Sequence, residues 1–190
     1  MTMMNQKHVC PWWLGYFLLN PVRKYMHSPE QILGPFIKPG MNVIDYGSAM
    51  GFFSLPMAKM VGNAGKVHCF DVQEKMLDKL VSRAKNAGLE NIVVPHLVYD
   101  HITGFSELTQ SIDFALLFAV AHEVPDRKQL FRFLYGMMKN KSLLLFSEPS
   151  GHVSEKDFEQ SVSYAENAGF RKLNPLKIKR EYSILLEKNE

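Results

Sequence analysis

Apolar positions along the chain fall into two rhythms, short continuous runs of strand length and longer stretches with helical spacing. Residues 41–44 form an apolar run that ends in Asp45 and a loop of small residues, Gly47-Ser48-Ala49-Met50-Gly51. Residues 52–61 then have apolar positions that suit a buried helix. A second strand is expected over residues 65–72, ending in another acid, Asp71. Over residues 74–87, Met76, Leu77, Leu80 and Val81 share one helix face, and Gly88 supplies a stop. Residues 91–95 read as a short third strand. Residues 111–118 are almost continuously apolar, as a strand buried on both faces should be. A helix over 127–138, a strand over 141–146 and a helix from Ser154 to about Asn167, closed by Gly169, follow. Two short strands about Asn174-Pro175, the last over 182–186, complete the chain. This alternation predicts an α/β fold: a doubly wound, mostly parallel seven-stranded sheet with helices on both faces and an antiparallel C-terminal strand.

Residues 1–40 precede the first core strand. They carry Trp12, Trp13, Tyr16, Phe17 and Tyr25, in helix-compatible stretches interrupted by prolines. Ser28-Pro29-Glu30-Gln31 has the form of a helix start, with a capping serine, a proline in the first turn and an acid. One reading is a pair of helices packed on the sheet. The other is a helical lid over the ligand cleft, with Trp12, Trp13 and Tyr16 facing an apolar substrate. One domain is expected, with residues 1–40 as cap and 41–190 as core. The apolar residues 11–19 are too short to cross a bilayer and no small-residue cleavage site follows, so they are expected to stay in the mature protein.

Composition narrows the function classes. Of the 190 residues, 46% are hydrophobic and 22% charged, values typical of a soluble globular protein. A net charge of +3 is mildly basic, and no lysine or arginine run marks a nucleic-acid surface. Cys10 and Cys69 are the only cysteines and form no metal-ligand pattern. Neither a disulfide framework nor a metal site is expected, and the expected location is cytoplasmic.

Strand, glycine turn and helix together bring a ligand's polar groups against bare N–H groups at a helix start. The loop reads Gly47-x-Ala49-x-Gly51, with Phe52 where a dinucleotide fingerprint needs its third glycine. Asp71 lies twenty positions beyond Gly51, the separation expected of a carboxylate that receives ribose hydroxyls. An acid there also commonly caps the next helix, and Gln73-Glu74-Lys75 follow. The loop resembles the D-x-G-x-G-x-G motif of class I S-adenosylmethionine-dependent methyltransferases. Asp45, Gly47 and Gly51 match it, and Ala49 departs from the middle glycine. Its methyl is expected to be tolerated at negative φ, pointing away from the ligand.

The resemblance covers about residues 38–150, and it implies S-adenosylmethionine as cofactor in a Rossmann-like fold. The loop from Gly47 through Ser48 and Ala49 to Gly51 would pack on the methionine part. Asp45 would brace the loop, Asp71 hold the ribose and Val72 lie on the adenine. Asp100 and His101 after strand three and Phe118 at the end of strand four would complete the cofactor site. The run Ala121-His122-Glu123-Val124-Pro125-Asp126 resembles small-molecule members, and the D/N-P-P-Y/F signature of amino-group methylation of bases is absent. His122 is the candidate general base and Glu123 its candidate orienting partner. The expected function is methyl transfer to a small, partly apolar molecule. The alternatives are a non-catalytic protein that binds S-adenosylmethionine or S-adenosylhomocysteine, and an RNA methyltransferase. No nucleic-acid or membrane partner is signalled, and the oligomeric state is open.

Overall fold

The computed structural model describes residues 27–98 and 105–189. Seven strands form one sheet: β1 (Asn42–Tyr46), β2 (Lys66–Asp71), β3 (Val93–Leu97), β4 (Ile112–Phe118), β5 (Met138–Pro149), β6 (Phe170–Pro175) and β7 (Glu181–Lys188). Their order across the sheet is β3-β2-β1-β4-β5-β7-β6. The first five run parallel, and β7 is antiparallel to both β5 and β6. The expected sheet is therefore present, with the antiparallel strand inserted inside the edge. Strand β5 is longer than its apolar run suggested. Its start pairs Met138 with Ile112 across a register shift, and its end continues to Pro149 against Glu181 of β7.

Alternate residues of each central strand serve opposite faces. Ile44, Phe70, Leu117 and Phe146 pack with Leu130, Leu134, Phe158 and Val162 of α4 (Arg127–Met137) and α5 (Glu155–Ala168). Val43, Val67, Leu116 and Leu145 pack with Leu33, Met57 and Leu80 of α1 (Pro29–Leu33), α2 (Ser54–Val61) and α3 (Glu74–Asn86). Burying each such side chain contributes about 1.5–3 kcal/mol, and burial on both faces explains the unbroken apolar runs. Helix starts follow local chemistry at Asp126 and Ser154, whose side chains accept from Gln129 N–H and Asp157 N–H. At Ser28 the capping residue is as expected, but its hydroxyl donates to Glu30 instead of accepting from the helix backbone.

Of residues 1–40, the described part packs on the sheet: Leu33 is fully buried and Phe36 stacks on Phe114 at 5.8 Å. Trp12, Trp13, Tyr16, Asp100 and His101 lie outside the described residues. Among the described residues, no helix is long and apolar enough to cross a membrane.

Strands β2 and β3 share an imidazole pair, buried His68 and half-buried His96, with Nδ1 and Nε2 at 3.0 Å. Burial first, and then His96, lowers the pKa of His68 to about 4. A folded pKa below the ordinary 6.5 means that the unfolded chain takes up the proton first. Stability from this group should be present above 6.5 and be lost as the pH falls toward 4. Thermal unfolding followed across that window should show a shallower acid slope in His68→Gln than in wild type. Equal slopes would remove His68 from the acid response.

Candidate functional site

The chain passes from β1 outward to β2 and β3, then returns to the other side of β1 as β4. Ligands of open α/β sheets sit beyond the strand carboxyl ends at such a reversal. Here the loops after β1 and β4 touch. Gly47 has φ +77°, and a Cβ on it would lie 2.5 Å from Val120 Cγ2. Its N–H and that of Ser48 donate to Phe70 O at 2.8 and 3.0 Å, which ties the turn to β2. Gly51 has φ +83°, and a Cβ there would meet Leu80 Cδ1 of α3 at 2.2 Å. Both glycines are thus required by backbone conformation and by close protein neighbours.

Ala49 corrects an expectation. It adopts φ +45°, inside the left-handed region, where negative φ was expected. That conformation costs an alanine on the order of 1–2 kcal/mol. The cost is offset by a tertiary hydrogen bond, from Ala49 N–H to Asp71 Oδ2 at 2.9 Å. The other oxygen of Asp71 accepts from Gln73 N–H at 2.9 Å, while Gln73 itself is the capping residue of α3. Burial raises the pKa of Asp71, against the pull of these N–H groups. The Val72 N–H also bears on this carboxylate; the two carboxylate oxygens have about four acceptor positions between them, so one stays available to a ligand.

Asp45, also buried, accepts from Ser54 Oγ at 2.5 Å. It therefore braces the first residue of α2 beyond the loop. Val72, beside Asp71, leaves 41% of its surface in water, unusual for a large apolar residue in this protein. Phe118 is buried, packed on Phe53 at 4.7 Å and edge-on to His27 at 5.4 Å.

A second group of polar side chains lies after β4. Glu148, at the end of β5, is 1% exposed. Its Oε1 accepts from Ala121 N–H at 2.8 Å and its Oε2 meets His122 Nδ1. Glu123 was the expected orienting partner, but its Oε1 lies 4.0 Å from His122 Nε2, beyond hydrogen-bond range. Glu148 holds the position assigned to Glu123. The His122 pKa is raised above 6.5, first by the hydrogen bond to Glu148 and against burial. The His152 ring meets His122 edge-on at 5.1 Å. The sequence signal for Glu148 was an acid at a strand end, the same signal that marked Asp45 and Asp71. Its separation of 26 positions from His122 hid the pairing.

Among the described residues, no group of histidine, cysteine, aspartate and glutamate side chains could hold a metal ion. Burial, then Asp45, pushes the Cys69 thiol above its ordinary range, so it has little thiolate character.

A family model for the methyltransferase domain matches residues 37–189. The chain belongs to this family. Membership makes it an S-adenosylmethionine-dependent methyltransferase with S-adenosylmethionine as cofactor. No curated protein sequence matches it. Among solved structures, the methyltransferase fold is shared with an S-adenosylmethionine-dependent methyltransferase from Aquifex aeolicus. That likeness has 23% identity and a TM-score of 0.81, covering 94% of this chain and 98% of the other. An S-adenosylmethionine-dependent O-methyltransferase from Thermotoga maritima is 17% identical with a TM-score of 0.65, over 86% of this chain and 65% of its own. The cyclase SpnF is 14% identical with a TM-score of 0.70, over 85% and 81%. Likeness at these identities shows the fold.

This methyltransferase has groups that fit the cofactor. Ser48 Oγ is buried in the glycine loop with no hydrogen-bond partner among the described residues, so a ligand can satisfy it. Asp71 keeps an acceptor position, and Val72 offers apolar surface beside it.

Proposed function

We propose that the protein methylates a small, partly apolar molecule in the crevice between β1 and β4. The observation that carries this reading is the meeting of Gly47 with Val120, two positions before His122. It supports a single site, because the glycine loop and His122 lie at the same reversal of strand order. Asp71 would receive the ribose hydroxyls, Val72 lie against the adenine, and Ser48 with the Gly47–Gly51 turn hold the amino-acid end. When bound, the cofactor supplies an electrophilic methyl on a sulfonium. The protein aligns acceptor and methyl and excludes water, and His122 takes a proton at Nε2.

Residues 1–26 join the described fold at His27, whose ring rests on Phe118 at the carboxyl end of β4. Its Nε2 is 3.0 Å from Lys179 O and 3.3 Å from Glu181 Oε1. This junction supports Trp12, Trp13 and Tyr16 as walls of the acceptor cavity. Removing residues 1–25 should leave the sheet folded by circular dichroism and lower methyl transfer at least tenfold. Full activity in the truncated protein would end that assignment.

The function itself is tested by calorimetry with S-adenosylhomocysteine and NAD, followed by a screen for acceptor-dependent S-adenosylhomocysteine formation across a metabolite library. Binding of S-adenosylhomocysteine alone and turnover with a small acceptor are expected. Preferential binding of NAD, or no turnover with any small molecule, would overturn the reading.

A further inference from the structure

We infer that the buried Glu148 carboxylate is the positioning residue that holds His122 with Nδ1 protonated and Nε2 turned to the crevice, and that the methyl acceptor is an acidic hydroxyl, phenolic or enolic, that yields its proton to Nε2. This rests on the methyl-transfer function proposed above, and it adds the acceptor atom and the residue that sets the base.

A carboxylate accepts hydrogen bonds and has none to give, so the proton between Glu148 Oε2 and His122 belongs to Nδ1. In the neutral ring the lone pair is then on Nε2, the nitrogen that makes no hydrogen bond to the buried carboxylate. A charge as buried as Glu148, 1% exposed, is costly unless it is paired. The N–H of Ala121 alone does not require a charge, because a glutamine oxygen would accept it equally well. What a carboxylate adds is stabilisation of the imidazolium once Nε2 has taken a proton.

Among the described residues, four charged or titratable groups face His122. Glu148 comes from β5, Glu123 from the same turn, Arg127 from the first turn of α4, and His152 from the loop after β5. Among the charged groups of the described residues, Arg127 alone opposes the imidazolium.

The acceptor class follows from what such a base is for. A thiol is partly ionised near neutrality and needs little help. An aliphatic amine arrives as a cation, beside a cationic methyl donor and an imidazole that must also become charged. A phenolic or enolic hydroxyl must lose its proton to be nucleophilic, and raising the basicity of Nε2 narrows the gap to it. In the balanced step an oxygen lone pair forms the O–CH3 bond, the S–CH3 bonding pair stays on sulfur, and the hydroxyl proton goes to Nε2.

The test uses the full chain labelled with 15N-histidine. In wild type, the neutral His122 ring should carry its proton on Nδ1 and titrate above 6.5. In Glu148→Gln the midpoint should fall, and in Glu123→Gln it should fall by less. S-adenosylhomocysteine affinity in Glu148→Gln should stay within about twofold of wild type, which shows that the site remains folded. Of matched phenol, benzyl thiol and benzylamine probes supplied with S-adenosylmethionine, the phenol should be methylated, and its transfer should be the one that depends on Glu148. Transfer to the phenol should drop in Glu148→Gln at neutral pH and recover partly in Glu148→Asp. A neutral wild-type ring protonated at Nε2, an unmoved midpoint in Glu148→Gln, or methylation of the thiol or amine alone would each overturn the inference. If S-adenosylhomocysteine fails to bind wild type, the function reading fails, and the histidine titration still decides the role of Glu148.

Discussion

Replacing Asp71 with alanine is expected to weaken S-adenosylhomocysteine binding at least tenfold, measured by calorimetry. Two losses combine at this position. The ribose hydroxyls lose a charged acceptor, and an unsatisfied buried group of this kind costs about 1–3 kcal/mol. Each 1.4 kcal/mol corresponds to about a factor of ten in affinity. The second loss is in the protein itself. Ala49 N–H and Gln73 N–H both end on this carboxylate at 2.9 Å. Without it, the left-handed Ala49 has no compensation and the glycine turn relaxes. Asp71→Asn keeps one acceptor oxygen but sets an amide against one of the two N–H donors, so its loss should be intermediate. Unchanged affinity in the alanine variant would exclude Asp71 from the cofactor site.

His122→Ala should lower kcat by roughly 10²–10⁴-fold, the range for losing a general base, and leave S-adenosylhomocysteine affinity within about twofold. The wild-type rate should rise with pH through the raised folded pKa of His122 and then level. Stability runs the other way. A folded pKa above the unfolded value gives stability that is fully present below 6.5 and is lost as the pH climbs through the folded pKa. Activity should therefore increase over the window in which the His122–Glu148 contribution to folding fades, and in the alanine variant both trends should disappear. A wild-type pH profile retained by His122→Ala would leave this histidine a structural role only. His68, with its lowered pKa, contributes the opposite slope at lower pH, so the two can be separated in one titration series.

Local spacing determined much of this protein. Asp71 ends its strand and Asp45 lies one residue before the end of its own, and the glycine loop stands between β1 and α2, because periodicity and turn chemistry are properties of neighbouring residues. The apolar runs of β1 and β4 also announced strands buried on both faces. The contacts that make these elements a site were decided by the tertiary structure. Gly47 and Gly51 are glycine because Val120 and Leu80, distant in the chain, occupy the space of a Cβ. Ala49 takes a positive φ because Asp71 accepts its N–H across the sheet. Glu148 reaches His122 because β4 and β5 pair with Phe118 opposite Ser147, which brings their outgoing ends together. Glu123 is adjacent in sequence yet lies on the wrong side of the ring, 4.0 Å from the other nitrogen. A sequence carries periodicity openly, since each element repeats its own pattern; the partner of a buried charge depends on strand register, which is fixed only when the whole sheet packs.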